Sequence, residues 1–173
     1  VFVEFCGRFG IQALIADKVY YAIHYATRKR HVFSHITVGS NDLDAAGGFY
    51  DTVLIPLGLR RGQVVPDVGP AALCWIHPAM TLPRFYVYSP FNRETASSGN
   101  GSMVAFLAPA PHAVDIAYAA GMTAGGKDSG NPGPRTNYGE EYYGAYLFDP
   151  DGNTVHLAYR ADLAEYQTAR PGR

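Results

Sequence analysis

The side chains able to do chemistry in this 173-residue chain are few in kind: six histidines, two cysteines and fifteen carboxylates, among thirteen tyrosines and nine phenylalanines. A histidine near its ordinary pKa of about 6.5 can take a proton from a carbon acid, polarise a carbonyl or ligate a divalent metal. Tyrosine, apolar with a polar tip, lines ligand pockets as readily as it fills a core. Cys74, in Leu73-Cys74-Trp75, has no activating pattern around it and reads as a small buried hydrophobe. His77 stands beside Pro78 at a strand end and reads as surface; His24 and His31 read as solvated. Arg84 and Arg93 flank a strand-like stretch, where they either bind an anionic ligand or form a solvated rim. No phosphate-cradling GxxxxGK[ST], no GxSxG elbow and no HExxH occurs.

Composition narrows the setting. With 47% hydrophobic and 17% charged residues, the chain suits one domain with an extension, not two domains and not a disordered polymer. A net charge of -1, from 14 basic and 15 acidic residues, lacks the basic field that nucleic-acid binding needs. No apolar run reaches the ~20 residues of a membrane span. Cys6 and Cys74 cannot make a disulfide framework or a multi-cysteine zinc knuckle. The expectation is a cytoplasmic protein that meets neither nucleic acid nor membrane.

The elements that would position these residues come in two copies. Residues 1–31 stand apart as an N-terminal helical extension: Ile11, Leu14, Ile15, Val19, Ala22, Ile23 and Ala26 share a helical face, and Arg28-Lys29-Arg30-His31 complements the helix dipole. Such a helix serves as a dimer arm, a membrane-surface helix or a targeting peptide, or packs on its own domain or a neighbouring subunit; the pattern favours packing. A secretory signal fits poorly, because the charges follow the apolar stretch. Phe33 to Gly39 then reads as a strand with His35 and Thr37 on one face. Ser40-Asn41-Asp42 caps a helix carrying Leu43, Ala46, Phe49, Tyr50, Val53, Leu54 and Leu57, stopped by Gly58. Gly47-Gly48 inside it predicts close approach to a sheet. Strands follow over 60–65, 71–77 and 84–89.

A shift of 68 residues places Met103 on His35, Ala113 on Ala45 and Tyr118 on Tyr50. The second copy has a strand over 102–107, a helix opened by Pro109-Ala110-Pro111, and strands over 142–148 and 154–159 joined by the Asp149-Pro150-Asp151-Gly152 turn. Residues 125–134 read as a polar Gly/Pro-rich loop. That loop and the stretch 92–102 are long enough to form lids or plain connectors.

The stretch His35-Ile36-Thr37-Val38-Gly39-Ser40-Asn41-Asp42-Leu43 with Phe49-Tyr50 and Pro56-Leu57-Gly58-Leu59, and the closing stretch Tyr142 to Leu157, resemble the vicinal oxygen chelate superfamily. Its members include glyoxalases, extradiol dioxygenases, fosfomycin-inactivating transferases and bleomycin-sequestering proteins. The resemblance runs over 32–160, in units of about 32–91 and 101–160, and leaves 161–173 as a tail. It implies an α+β fold of two βαβββ units, whose curved mixed sheets form a cup-shaped ligand cavity, and a homodimer. It also implies a metal site at up to four strand positions. Two of these fall on His35 and His156, the candidate catalytic and metal-ligating residues. The others fall on Tyr86 or Tyr88 and on Met103, which with Tyr146 are candidate substrate-binding residues. Met is a soft ligand and neutral Tyr a poor one, so the set is incomplete unless Glu140, Glu141, His112 or a substrate completes it. One divalent metal (Zn, Ni, Mn or Fe) or none is therefore expected. Two functions remain open: a glyoxalase-like enzyme (lyase, dioxygenase or resistance-type transferase) with a degraded metal site, or a non-catalytic protein that sequesters a small molecule or antibiotic.

Overall fold

The computed structural model describes residues 33–65 and 68–163. The helix expected over 1–31, and the tail beyond residue 163, lie outside the described residues.

The order expected from the internal repeat is the order observed, except for one additional strand in the second half. The first half runs β1 (His35–Gly39), α1 (Leu43–Leu54), β2 (Arg60–Gly62), β3 (Ala72–Ile76) and β4 (Arg84–Tyr88). The second runs β5 (Met103–Leu107), α2 (Pro111–Thr123), β6 (Lys127–Pro134), β7 (Tyr142–Phe148) and β8 (Thr154–Arg160), followed by a 3-10 turn at Ala161–Leu163. Each half makes a four-stranded mixed sheet, ordered β1-β4-β3-β2 and β5-β8-β7-β6. In both, the first strand lies parallel to the last and the other pairings are antiparallel. This is the α+β pair of βαβββ units. Neither described helix is long and apolar enough to cross a membrane.

Local chemistry accounts for the helix limits. Asp42 caps α1 by accepting from Asp44 N and Ala45 N, each at 3.0 Å. Beyond the helix Gly58 takes a φ of 90°, the left-handed region where glycine is unstrained. Of the glycine pair in α1, only Gly47 meets the sheet: a Cβ there would come within 2.7 Å of the Arg61 guanidinium and 3.2 Å of Leu73, whereas Gly48 faces open space. Helix α2 starts at Pro111 without a side-chain cap. Its buried face is Ala113, Val114, Ala117 and Gly121, while Met122, expected on that stripe, stays partly exposed.

One expected loop is a strand. Lys127–Pro134 pairs with β7 along the sheet edge, with register shifts between Asp128 and Gly130 and between Gly130 and Gly133. Glycine and proline are tolerated there because an edge strand needs ladder bonds on one side only and bulges absorb the rest. That stretch is therefore part of the scaffold, not a lid.

The helix-side faces of both sheets and the two helices share a single core. Tyr50 sits among Phe49, Trp75 and Phe85 at ring distances of 5.0, 5.4 and 4.9 Å, and Phe85 meets Phe106 of the other half edge-on at 5.0 Å. Fully burying such a side chain is worth about 2 kcal/mol, so these rings hold the halves together. Polar bonds reinforce the join. The Tyr50 hydroxyl donates to Asp149 at 2.9 Å, Asn153 Nδ2 donates to Gly39 O at 3.0 Å, and Asn41 donates twice to Asp151.

Candidate functional site

Successive side chains along a strand point to opposite faces of the sheet. With Phe85 and Val87 buried against α1, Arg84, Tyr86 and Tyr88 must occupy the other, open face of the first sheet. The parallel register sets His35 beside Arg84, Thr37 beside Tyr86 and Gly39 beside Tyr88, so both tyrosines share the face of His35. The His35 ring stands edge-on to Tyr86 at 5.7 Å, and its Nδ1 lies 2.8 Å from the Ser34 hydroxyl. Tyr86 and Tyr88 are 5.6 Å apart. Arg84 donates from Nη1 to the Tyr86 hydroxyl at 3.3 Å and from Nε to Thr81 O at 3.4 Å. Cys74, opposite Tyr86, lies on this face but is buried, and burial pushes its thiol pKa up. It is the inert hydrophobe its sequence suggests.

The second sheet follows the same rule. Val155 and Leu157 are buried toward the shared core, which turns His156 to the open face with Tyr142, Tyr146 and Met103. Here the geometry is closed. The His156 ring stacks on Tyr146 at 4.1 Å and 16°, and on Tyr142 at 5.9 Å and 25°. Arg135 lies over the Tyr146 ring at 5.7 Å, and Arg160 over the Tyr142 ring at 5.9 Å. His156 is only 3% exposed, and its Nε2 is buried without a hydrogen-bond partner among the described residues. It lies against Gly144, where a Cβ would come within 2.8 Å of it. Burial first, and the Arg135 charge second, hold the His156 pKa down to about 4. The ring is neutral at pH 7.

The structure thus distributes the candidates instead of gathering them. His35, Tyr86 and Tyr88 share one sheet face, and His156, Tyr146 and Met103 share the other sheet's. Glu140, Glu141 and His112 are exposed. No group of three His, Cys, Asp or Glu able to hold a metal occurs among the described residues. The donor chemistry is adverse as well. The His156 Nε2 is turned onto Gly144, and Arg84, paired with His35 in register, sets a positive charge on the His35 face that opposes a dication. The residues present do not fit a divalent metal.

Sequence reasoning overlooked Tyr142, Arg135 and Gly144. The signal lay in the Tyr142-Tyr143-Gly144-Ala145-Tyr146 run: two tyrosines four apart on one strand face with glycine between them leave a slot for a third ring. Gly144→Ala should fill that slot. Its Cβ would also lie 3.1 Å from Leu157 O, so the expected cost is about 2 kcal/mol, read by urea denaturation. The displaced His156 should titrate closer to about 6.5 by NMR. An unchanged His156 pKa would contradict the slot.

A family model of the glyoxalase/bleomycin resistance protein/dioxygenase superfamily matches residues 32–157. The chain belongs to that superfamily. Among solved structures it is similar to a glyoxalase/bleomycin resistance protein from Albidiferax ferrireducens T118, at 37% identity over 75% of this chain and 99% of that one, with a TM-score of 0.63. The fold alone is shared with the fosfomycin resistance protein FosX from Mesorhizobium loti (16% identity, 80% and 99% covered, TM-score 0.54). The same holds for a lactoylglutathione lyase from Agrobacterium tumefaciens (16%, 76% and 96%, TM-score 0.51). Comparison with curated proteins gives no match.

Proposed function

We propose that this chain binds a small organic molecule on the tyrosine-lined open face of its first sheet, with His35, Tyr86 and Tyr88 as the contacts, and without a metal shared by His35 and His156. The closed stack around His156 carries the reading: its Nε2 is buried against Gly144, out of reach of a ligand, and a pKa held down to about 4 makes the ring a weak general base. Of the two functions open from the sequence, sequestration as in bleomycin-resistance proteins is the one this supports. In this reading Tyr146 and Met103 line the second sheet's face, and His156 braces that face without reacting. A homodimer in the cytoplasm fits the proposal, because a second copy would cover sheet faces that one chain leaves open.

One observation favours the enzymatic alternative. His35 is exposed and its Nδ1 is engaged by Ser34, while its Nε2 makes no hydrogen bond among the described residues and so can accept a proton. Calorimetric titration with Zn²⁺, Ni²⁺, Mn²⁺ and Fe²⁺, run on the wild type and on His156→Leu, tests the metal-free reading. The expected result is no stoichiometric site tighter than about 10 μM in either protein. A one-to-one site in the wild type that His156→Leu abolishes would overturn the proposal and restore the chelate mechanism.

A further inference from the structure

Among the described residues, the strand positions on the open face of the first sheet carry positive charge and no carboxylate. These positions are His35, Thr37 and Gly39 on β1, Arg84, Tyr86 and Tyr88 on β4, Ala72, Cys74 and Ile76 on β3, and Arg60 and Gly62 on β2. None is acidic. Across all eight strands the one carboxylate is Asp128, on the second sheet, where it accepts from the Tyr118 hydroxyl of α2 at 2.7 Å. The chain as a whole has more acids than bases, so their exclusion from this face is a feature of the arrangement and not of composition. Arg60 is spoken for, since it donates to Ile55 O and Leu59 O at the end of α1. Among the described residues Arg84 has no ion-pair partner and its Nη2 makes no hydrogen bond; its Nη1 and Nε bonds go to the Tyr86 hydroxyl and Thr81 O.

We infer that the ligand of this face is a small planar monocarboxylate, its carboxylate held by Arg84 and its ring or enolic plane laid against Tyr86 and Tyr88. The inference rests on the binding reading above and adds the ligand's charge and shape. A guanidinium fixed by bonds to Tyr86 and Thr81 presents its remaining N–H groups in a set direction, which suits a planar two-oxygen anion better than a diffuse charge. The Tyr86 hydroxyl, already accepting from Arg84, can donate its own proton to the same carboxylate. His35, adjacent in register, offers Nε2 at the edge of the site. Two tyrosine rings 5.6 Å apart form an apolar floor for a flat organic group. One unpaired guanidinium matches one negative charge.

The test uses the full chain and three probes of one shape: benzoate, neutral benzamide and cationic benzamidine. Binding is followed by NMR shifts of Tyr86 and Tyr88. Benzoate should bind at least about tenfold tighter than benzamide, with benzamidine weakest. Arg84→Gln should bring benzoate down to the benzamide level, a loss much larger than any it causes for benzamide itself. Arg84→Lys, which keeps the charge and loses the fork, should fall between, and it serves if the Gln variant does not fold. Equal binding of benzoate and benzamide, or a preference that survives loss of Arg84, overturns the inference and leaves the binding reading intact. Inorganic phosphate displacing benzoate at equal or lower concentration overturns it in favour of a phosphoryl ligand. Failure of all three probes to move either tyrosine overturns the binding reading and this inference together.

Discussion

Asp149→Ala is expected to destabilise the fold by about 3 kcal/mol. The carboxylate is 1% exposed and accepts from four donors: the Tyr50 hydroxyl, Asp151 N, Asn153 N and Asn153 Nδ2, at 2.8–3.0 Å. Removing an acceptor strands its buried donors, at about 1–3 kcal/mol for each that water cannot reach. Tyr50 is fully buried, so its hydroxyl bears most of that cost, whereas the turn amides lie nearer solvent. Burial pushes the Asp149 pKa up even though Asn153 and Tyr50 favour the charged form, so the site already carries desolvation cost that only these bonds offset. Tyr50→Phe alone should cost about 1 kcal/mol, since it removes the donor and leaves the ring packed. The double variant should be less destabilised than the two singles added, by roughly 1 kcal/mol or more in a urea-denaturation cycle. Strict additivity would mean that the bond is not what joins the turn to α1.

The same bond shows how far the sequence could be read. Strands and helices were legible because their apolar spacing reports a buried face, and the two copies confirm each other. Asp149 was legible only as a turn former. That its side chain reaches back to Tyr50, ninety-nine residues earlier, is set by how the halves pack, which no local pattern encodes. Lys127–Pro134 misled for a related reason: glycine and proline signal a loop when read locally, yet an edge strand with bulges accepts both. At the candidate site, strand alternation put His35 with Thr37, while Tyr86 and Tyr88 came from the family resemblance, and only the β1–β4 register sets them beside His35's face. The treatment of His156 depended on Gly144, a residue whose contribution is the side chain it lacks. Arg84 was noted as a possible anion contact from its place at a strand end. Its lack of an acidic partner emerged only once the faces were assembled.

Acid should weaken this fold earlier than its carboxylates alone would, and His156 is the reason. Its folded pKa is held down to about 4, against an ordinary value of about 6.5. Between those values the unfolded chain takes up a proton that the folded stack refuses. The stability tied to the neutral ring is therefore complete above about pH 6.5 and lost progressively as pH falls toward 4, approaching a total of about 3 kcal/mol. Asp149, with its folded pKa raised, works in the opposite sense: protonation in the folded state offsets part of the loss as pH falls through its own folded value. Asp128 and Asp162, held below the usual carboxylate range by Tyr118 and Arg160 respectively, lose their contribution only at lower pH. Comparing the wild type with His156→Leu isolates the imidazole, since the carboxylates are common to both. Unfolding free energies from urea denaturation at pH 7.5 to 4 should drop in the wild type with a slope approaching about 1.4 kcal/mol per pH unit, and flatten by that amount in the variant. Parallel profiles would mean that the ring is protonated in the folded protein, and then the stack between Tyr142 and Tyr146 would hold a cation and the site could do acid–base work after all.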